Sequence, residues 1–337
     1  GESDHAHSTH HAHNDIEEVV VRATPLGRGQ DELTQSATVL SGEDLYRELS
    51  NNIGDTLTRQ AGLTNASFGQ NVGRPVIRGL QGQRVGVLSN NMAANDASAV
   101  SQDHAVAIEP FLADQIEILR GPTTLLYGSG AIGGVVNIVS HTIPETVPEN
   151  GIEGRAMMQA DSAADQRFAA GRIDLGAGNF AFHADGFYRR TDDYEIPGAA
   201  ELYPEEEHDD HEEHDEHEED AVTGILENSF LDNEGGSIGA SWIGERWRMG
   251  LSFTDYNSDY GIPGAHHHHH EEDEHEEEHE DEHEVEEGEE GVTVGLESQR
   301  WAAEIVGMDP FAGFEQLSFK FVNTNYTHTE FEGDEVG

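Results

Sequence analysis

From residue 150 onward, apolar and polar residues alternate with period two, the pattern of strands with one apolar and one polar face. In 247–254, Trp247, Met249, Leu251 and Phe253 alternate with Arg248, Gly250, Ser252 and Thr254. In 317–321, Leu317, Phe319 and Phe321 alternate with Ser318 and Lys320. Similar runs near 152–161, 167–177, 179–191, 236–244 and 298–306 bring the predicted strands to seven. Each approaches the roughly 9–11 residues that a tilted transmembrane strand needs. The links near Gly178, Gly244-Glu245 and Met308–Gly313 are short, whereas those at about 193–235 and 260–297 are long. Long loops therefore gather at one end and tight turns at the other, as in membrane barrels. A soluble β-sandwich is the competing reading, but it does not require that asymmetry. Bacterial single-chain barrels use even strand numbers from eight upward, so the seven strands are expected to be a fragment of a larger barrel.

The chain before residue 150 reads differently. Val19, Val20 and Val21 open a compact α+β unit over 16–145. Within it, VLSGEDLYRELSNNIGDTLTRQAGL predicts two helices. The first has Ser41 as N-cap with Asp44 three residues on, and Leu45 and Leu49 one turn apart. The second covers about Ile53 to Gln60 and ends at Gly62. Short strands broken by glycine turns follow in PVIRGL, RVGVLSN, DQIEILRG and GGVVNIVS. The expected fold class is thus an α+β domain followed by an antiparallel transmembrane β-barrel.

Charge narrows the function. The formal net charge is -51, from 68 acidic and 17 basic residues, which would repel a phosphate backbone and excludes nucleic acid as a partner. With no cysteine in the chain, a disulfide, a thiolate zinc site and an iron–sulfur cluster are all excluded. A metal would be held by imidazole and carboxylate, a donor set suited to zinc, copper or nickel. No apolar run reaches the ~18–20 residues of a membrane helix, and no secretory signal stands at the start. Gly1 therefore reads as a mature or trimmed terminus, and residues 1–15, with five histidines, read as a flexible tail.

The acidity is concentrated in the two long loops. Residues 201–220 hold 13 acidic side chains and 266–290 hold 15, with no Lys or Arg in either. His208, His211, His214 and His217 recur every third residue; His266, His267, His268, His269 and His270 run together, and His275, His279 and His283 recur every fourth. Imidazoles at such spacing share one face of any transient helix, and the carboxylates between them add hard oxygen ligands. These loops are candidate metal-gathering segments; the plain alternative is a solvated charge run.

Two motifs carry less than they suggest. Gly128-Ser-Gly130-Ala-Ile-Gly133 fits a dinucleotide-binding pattern, but a strand-like GVVNIVS follows where that motif needs a helix. HExxH occurs at 275–279 and 279–283, where a Glu/His tract generates it by composition and no apolar face would position a catalytic helix. No enzymatic activity and no catalytic cofactor are expected.

Three stretches carry a family resemblance. IEEVVVRA, from Ile16 through Glu17, Glu18, Val19, Val20, Val21 and Arg22 to Ala23, resembles a TonB box. PVIRGLQGQRVGVLSN (75–90) and DQIEILRGPTTLLYGSGAIGGVVNIVS (114–140) resemble two plug motifs of the TonB-dependent outer-membrane receptors. The likeness implies a plug over 24–149, a barrel from 150 to 337, and location in a Gram-negative outer membrane. It also implies a plug and N-terminus facing the periplasm, His-rich loops outside, and TonB and membrane lipid as partners. DHAVAIEPF (103–111), PENG (148–151) and the His-rich loops are most similar to zinc-uptake receptors of the ZnuD type. That likeness implies Zn²⁺ as the transported ligand, with Asp103 and His104 as metal-site residues on the plug. Copper, nickel, a siderophore or haem complex, or metal sequestration without transport are the other readings.

Overall fold

The computed structural model describes residues 20–23, 28–29, 37–127, 131–200, 223–264, 291–332 and 335–336. In the first part β1 (Val20–Val21) pairs with β2 (Arg28–Gly29), and β3 (Ala37–Ser41) leads into α1 (Gly42–Glu48) and α2 (Ile53–Thr56). The strands β4 (Leu63–Phe68), β5 (Val72–Ile77), β6 (Val85–Ser89), β7 (Met92–Ala93), β8 (Gln115–Leu119) and β9 (Gly134–Val139) follow. A five-stranded sheet has the order β3-β8-β9-β6-β7, with β6 and β9 parallel. Leu45, Ile53 and Leu57 from the helical stretch pack with Ile77, Ile116, Ile118, Val136 and Ile138. All eight are almost wholly removed from water, and such apolar burial is the main stabilising term of this unit.

Both helix expectations need correction. Ser41 precedes α1, yet its side chain makes no capping bond; it is still extended and paired with Gln115 in the sheet, so its hydroxyl is not free to turn back. The second helix stops at Thr56 rather than Gln60. Leu57 N–H bonds back to Gly54 and the chain proceeds by turns, because Leu63 must begin the strand that pairs with Ile77. Its cap is Asn52, whose side chain accepts from Asp55 N–H at 2.8 Å.

All seven predicted wall strands form. They are β10 (Ile152–Asp161), β11 (Gln166–Ala177), β12 (Phe180–Thr191), and, after the hairpin β13 (Tyr194–Ala199) and β14 (Thr223–Leu226), β15 (Leu231–Ile243), β16 (Trp247–Gly261), β17 (Thr293–Phe311) and β18 (Phe314–Glu332). Each pairs antiparallel with the next in sequence order, and a short β19 (Glu335–Val336) ends the sheet. The last two strands have 19 residues each, well beyond the alternation that announced them. Their outer face is apolar only in part: Ile305, Trp301, Leu317, Phe319 and Phe321 are exposed, whereas Glu297 pairs with Thr327 and Gln299 with Asn325 farther along. Hydrophobic alternation is silent where both faces are polar. The exposed apolar band, continued by Phe180, Phe182, Ile238, Trp242, Met249 and Leu251, is the face a lipid bilayer requires of a barrel wall.

The first unit sits against the opposite face. Arg189 of β12, fully buried, forms two 3.0 Å bonds to the buried Glu109 carboxylate. Asn71 donates to Ser258 of β16 at 2.8 Å, and Arg300 of β17 donates to Ala93 O at 2.9 Å. No described helix is long and apolar enough to cross a membrane.

Candidate metal centre

His104 lies in a stretch, 101–109, that is neither helix nor strand. Its ring is 4% exposed. Asp103 Oδ1 stands 2.9 Å from its Nδ1, and Ser101 in turn donates to Asp103. On the other side, Nε2 is 3.2 Å from Glu330 Oε1 but makes no hydrogen bond. The His328 ring meets the His104 ring edge-on, with centroids 4.5 Å apart. One ligand atom from each of His104, His328 and Glu330 lies within 4.8 Å of the other two. A buried imidazole nitrogen without a hydrogen bond, facing a second imidazole and a carboxylate, is suited to a divalent transition metal.

Asp103 complements this set from behind. A carboxylate on Nδ1 fixes the tautomer that leaves Nε2 free for a metal. Partial burial alone would raise the Asp103 carboxyl, but hydrogen bonds from Ser101 and His104 outweigh it and hold the group below its ordinary range. The geometry thus brings His104 to the centre and sets Asp103 at the ring's far nitrogen.

His328 and Glu330 were missed in the sequence, although a signal was there. They lie two apart on β18, so both side chains point to the inner face. Register explains why they meet the first unit: Leu296 pairs with His328 and Val294 with Glu330, both near the start of β17. In sequence, His266, His267, His268, His269, His270, His275, His279 and His283 fall between β16 and β17, and the start of β17 stands beside this centre. Those residues, like His208, His211, His214 and His217, lie outside the described residues, as do the two HExxH matches. The stems of the two long loops are tied together, since Asn228 donates to Ile262 O at 3.0 Å and Val292 O at 2.7 Å.

The segment read as a TonB box is described only from Val20 to Ala23; Ile16, Glu17, Glu18 and Val19 lie outside the described residues. Val21 and Ala23 are buried. The buried Glu117 carboxylate accepts from Arg22 N–H at 2.6 Å and Ala23 N–H at 2.7 Å. Gln115 and Asn137 donate to the same carboxylate at 2.6 and 3.0 Å. Asn91 donates to Arg22 O at 3.0 Å, and Tyr127 to Ala23 O at 2.5 Å. The Arg22 side chain pairs with Glu145. Polar side chains, rather than a long ladder, hold this stretch. Of the dinucleotide-like motif, the part described leads into β9 (Gly134–Val139) and not into a helix.

Residues 29–135 match the TonB-dependent Receptor Plug Domain family. The chain is 28% identical over 158 residues to a hemin receptor of Yersinia pestis, covering 47% of this chain and 23% of that protein. It is 29% identical over 175 residues to the vitamin B12 transporter BtuB of Vibrio vulnificus strain CMCP6, covering 50% of this chain and 28% of that one. The chain therefore spans about a quarter of the length of these curated relatives. Among solved structures, the copper transporter OprC is similar with TM-score 0.63 and 16% identity, over 87% of this chain and 38% of that one. The Serratia marcescens hemophore receptor HasR is similar with TM-score 0.65 and 13% identity, over 88% of this chain and 39% of that one. At those identities the structural likeness shows the fold alone.

Proposed function

We propose that this chain, which carries the plug domain and barrel strands of the TonB-dependent receptor family, captures a divalent transition metal, zinc foremost, for import across a Gram-negative outer membrane. The observation that carries the reading is the convergence of His104 from the plug with His328 and Glu330 from one barrel strand. The His-rich loops gather ions through many weak imidazole and carboxylate sites, and the centre beside their stem takes one ion more tightly. The cargo is then held jointly by plug and wall, so displacement of the plug dismantles the ligand set and frees the ion. The 16–23 segment is the handle on which TonB would act by adding a strand.

A haem or siderophore complex on the same fold is the alternative. Three ionisable groups within 4.8 Å favour a bare ion over a bulky complex, which would call for a wider, more aromatic surface. Imidazole and carboxylate accept zinc, copper and nickel alike, and copper binds most such sites more tightly. Calorimetric titration of the detergent-folded receptor with Zn²⁺, Cu²⁺ and Ni²⁺ decides the matter. One tight site is expected in the parent and none in His104→Ala, with the weak sites unchanged; identical isotherms for the two proteins would overturn the proposal.

A further inference from the structure

The plug stretch that carries His104 has no secondary structure to hold it, yet a metal ligand must be placed within fractions of an ångström. The backbone groups on either side of His104 both turn to one hydroxyl. Ala105 N–H donates to Tyr260 Oη at 3.1 Å, and Tyr260 Oη in turn lies 3.4 Å from Asp103 O, to which it donates. Tyr260 is 1% exposed and Ala105 is wholly buried, so no water substitutes for these bonds.

Tyr260 belongs to the wall. It pairs with Val294, which pairs with Glu330, so Tyr260 and the ligand Glu330 occupy one cross-strand row of the inner face. The strand that supplies His328 and Glu330 is thus in register, at Glu330, with the residue that seats the third ligand.

From this we infer that Tyr260 is a positioning residue for the metal centre: its hydroxyl fixes the backbone around His104 and so aims Nε2 at the ligands on β18. The inference rests on the metal reading above. It makes the centre a reporter of plug seating, because the same wall that holds two ligands also sets where the third one points. Tyr260 is not a ligand and lies outside the three-residue group.

Tyr260→Phe tests this, since it keeps the packed ring and removes only the hydroxyl. In titrations of the detergent-folded receptor with Zn²⁺, the tight site should weaken about tenfold or more, the loss typical of an outer-shell partner. The melting temperature should stay within a few degrees of the parent's, whereas a general loss of structure would lower it further. A second measurement needs no metal. The chain has no cysteine, so His104→Cys gives a single label site. Maleimide should react severalfold faster there with Phe than with Tyr at 260. Faster labelling in a receptor that shows no His104-dependent zinc site would uphold the positioning role and sink the metal reading. Unchanged labelling, or a tight site with the parent's zinc affinity in Tyr260→Phe, would overturn the inference.

Discussion

Among single residues, the proposed metal centre would depend on what stands behind a ligand as much as on the ligand. Asp103 holds the His104 ring through Nδ1, so Asp103→Asn should weaken the tight metal site about 10–100-fold while leaving all three ligands in place. Competition against a chromophoric chelator would measure this, and parental affinity in the variant would show that the carboxylate does not orient the ring. Arg189 and Glu109 make a sharper case. Burial pushes the Glu109 carboxyl up, and the Arg189 guanidinium opposes that shift. Arg189→Leu leaves a buried carboxylate without its partner, and should cost about 3–5 kcal/mol. Replacing both, Arg189→Met with Glu109→Leu, should recover most of that loss. Thermal unfolding of the parent, each single variant and the double variant separates these outcomes, since a pair without energetic coupling would give additive losses.

At the scale of elements, the stretch from Val20 to Ala23 is held chiefly by a single buried carboxylate. Two successive backbone N–H groups on Glu117 make a charge-assisted clamp stronger than neutral bonds. Glu117→Gln turns one acceptor into a donor that faces those N–H groups. Maleimide labelling of a Val20→Cys variant of the detergent-folded protein should then accelerate severalfold; an unchanged rate would mean that Val21 and Ala23, through apolar burial, hold the segment without the clamp. Sequence alternation found the wall strands well, because one face of each must be apolar. It lost the ends of β17 and β18, where Glu297, Asn325 and Thr327 face outward. It also overran α2, since the pairing of Leu63 with Ile77 is invisible in local pattern.

At the scale of the whole molecule, plug and wall are joined through charge. Asp114 of the plug pairs with Arg172 of β11, with Arg155 of β10 at 3.1 Å, and with His141 at 2.8 Å. Burial would raise the Asp114 carboxyl, but the bonds and charges of His141 and Arg172 prevail and hold it far below the usual carboxylate range. A depressed carboxyl stabilises the fold fully above its unfolded value of about 4, and the contribution is lost as pH falls toward the folded value. Plug–wall stability should therefore decline with acidification below about pH 5. Asp114→Asn should be less stable at neutral pH and show a shallower acid slope. Melting temperatures from pH 3 to 7 check this, and parallel curves for parent and variant would assign the acid sensitivity elsewhere.

Local pattern announced the α+β unit and the seven wall strands with their alternating short and long connections, whereas a metal role for His104 was implied only by the family resemblance. The unit and the strands are properties of local periodicity and turn chemistry, carried by neighbours in the chain; the role of His104 came from motifs shared with a family. The partners that His104 meets are set by tertiary packing. His328 and Glu330 lie more than two hundred residues from His104, and neither belongs to a motif. They reach His104 because strand register sets their height on the wall, and because Tyr260, in the row of Glu330, seats the plug loop against them. Ligand geometry of that kind arises from the packing of two units, and no local pattern encodes it.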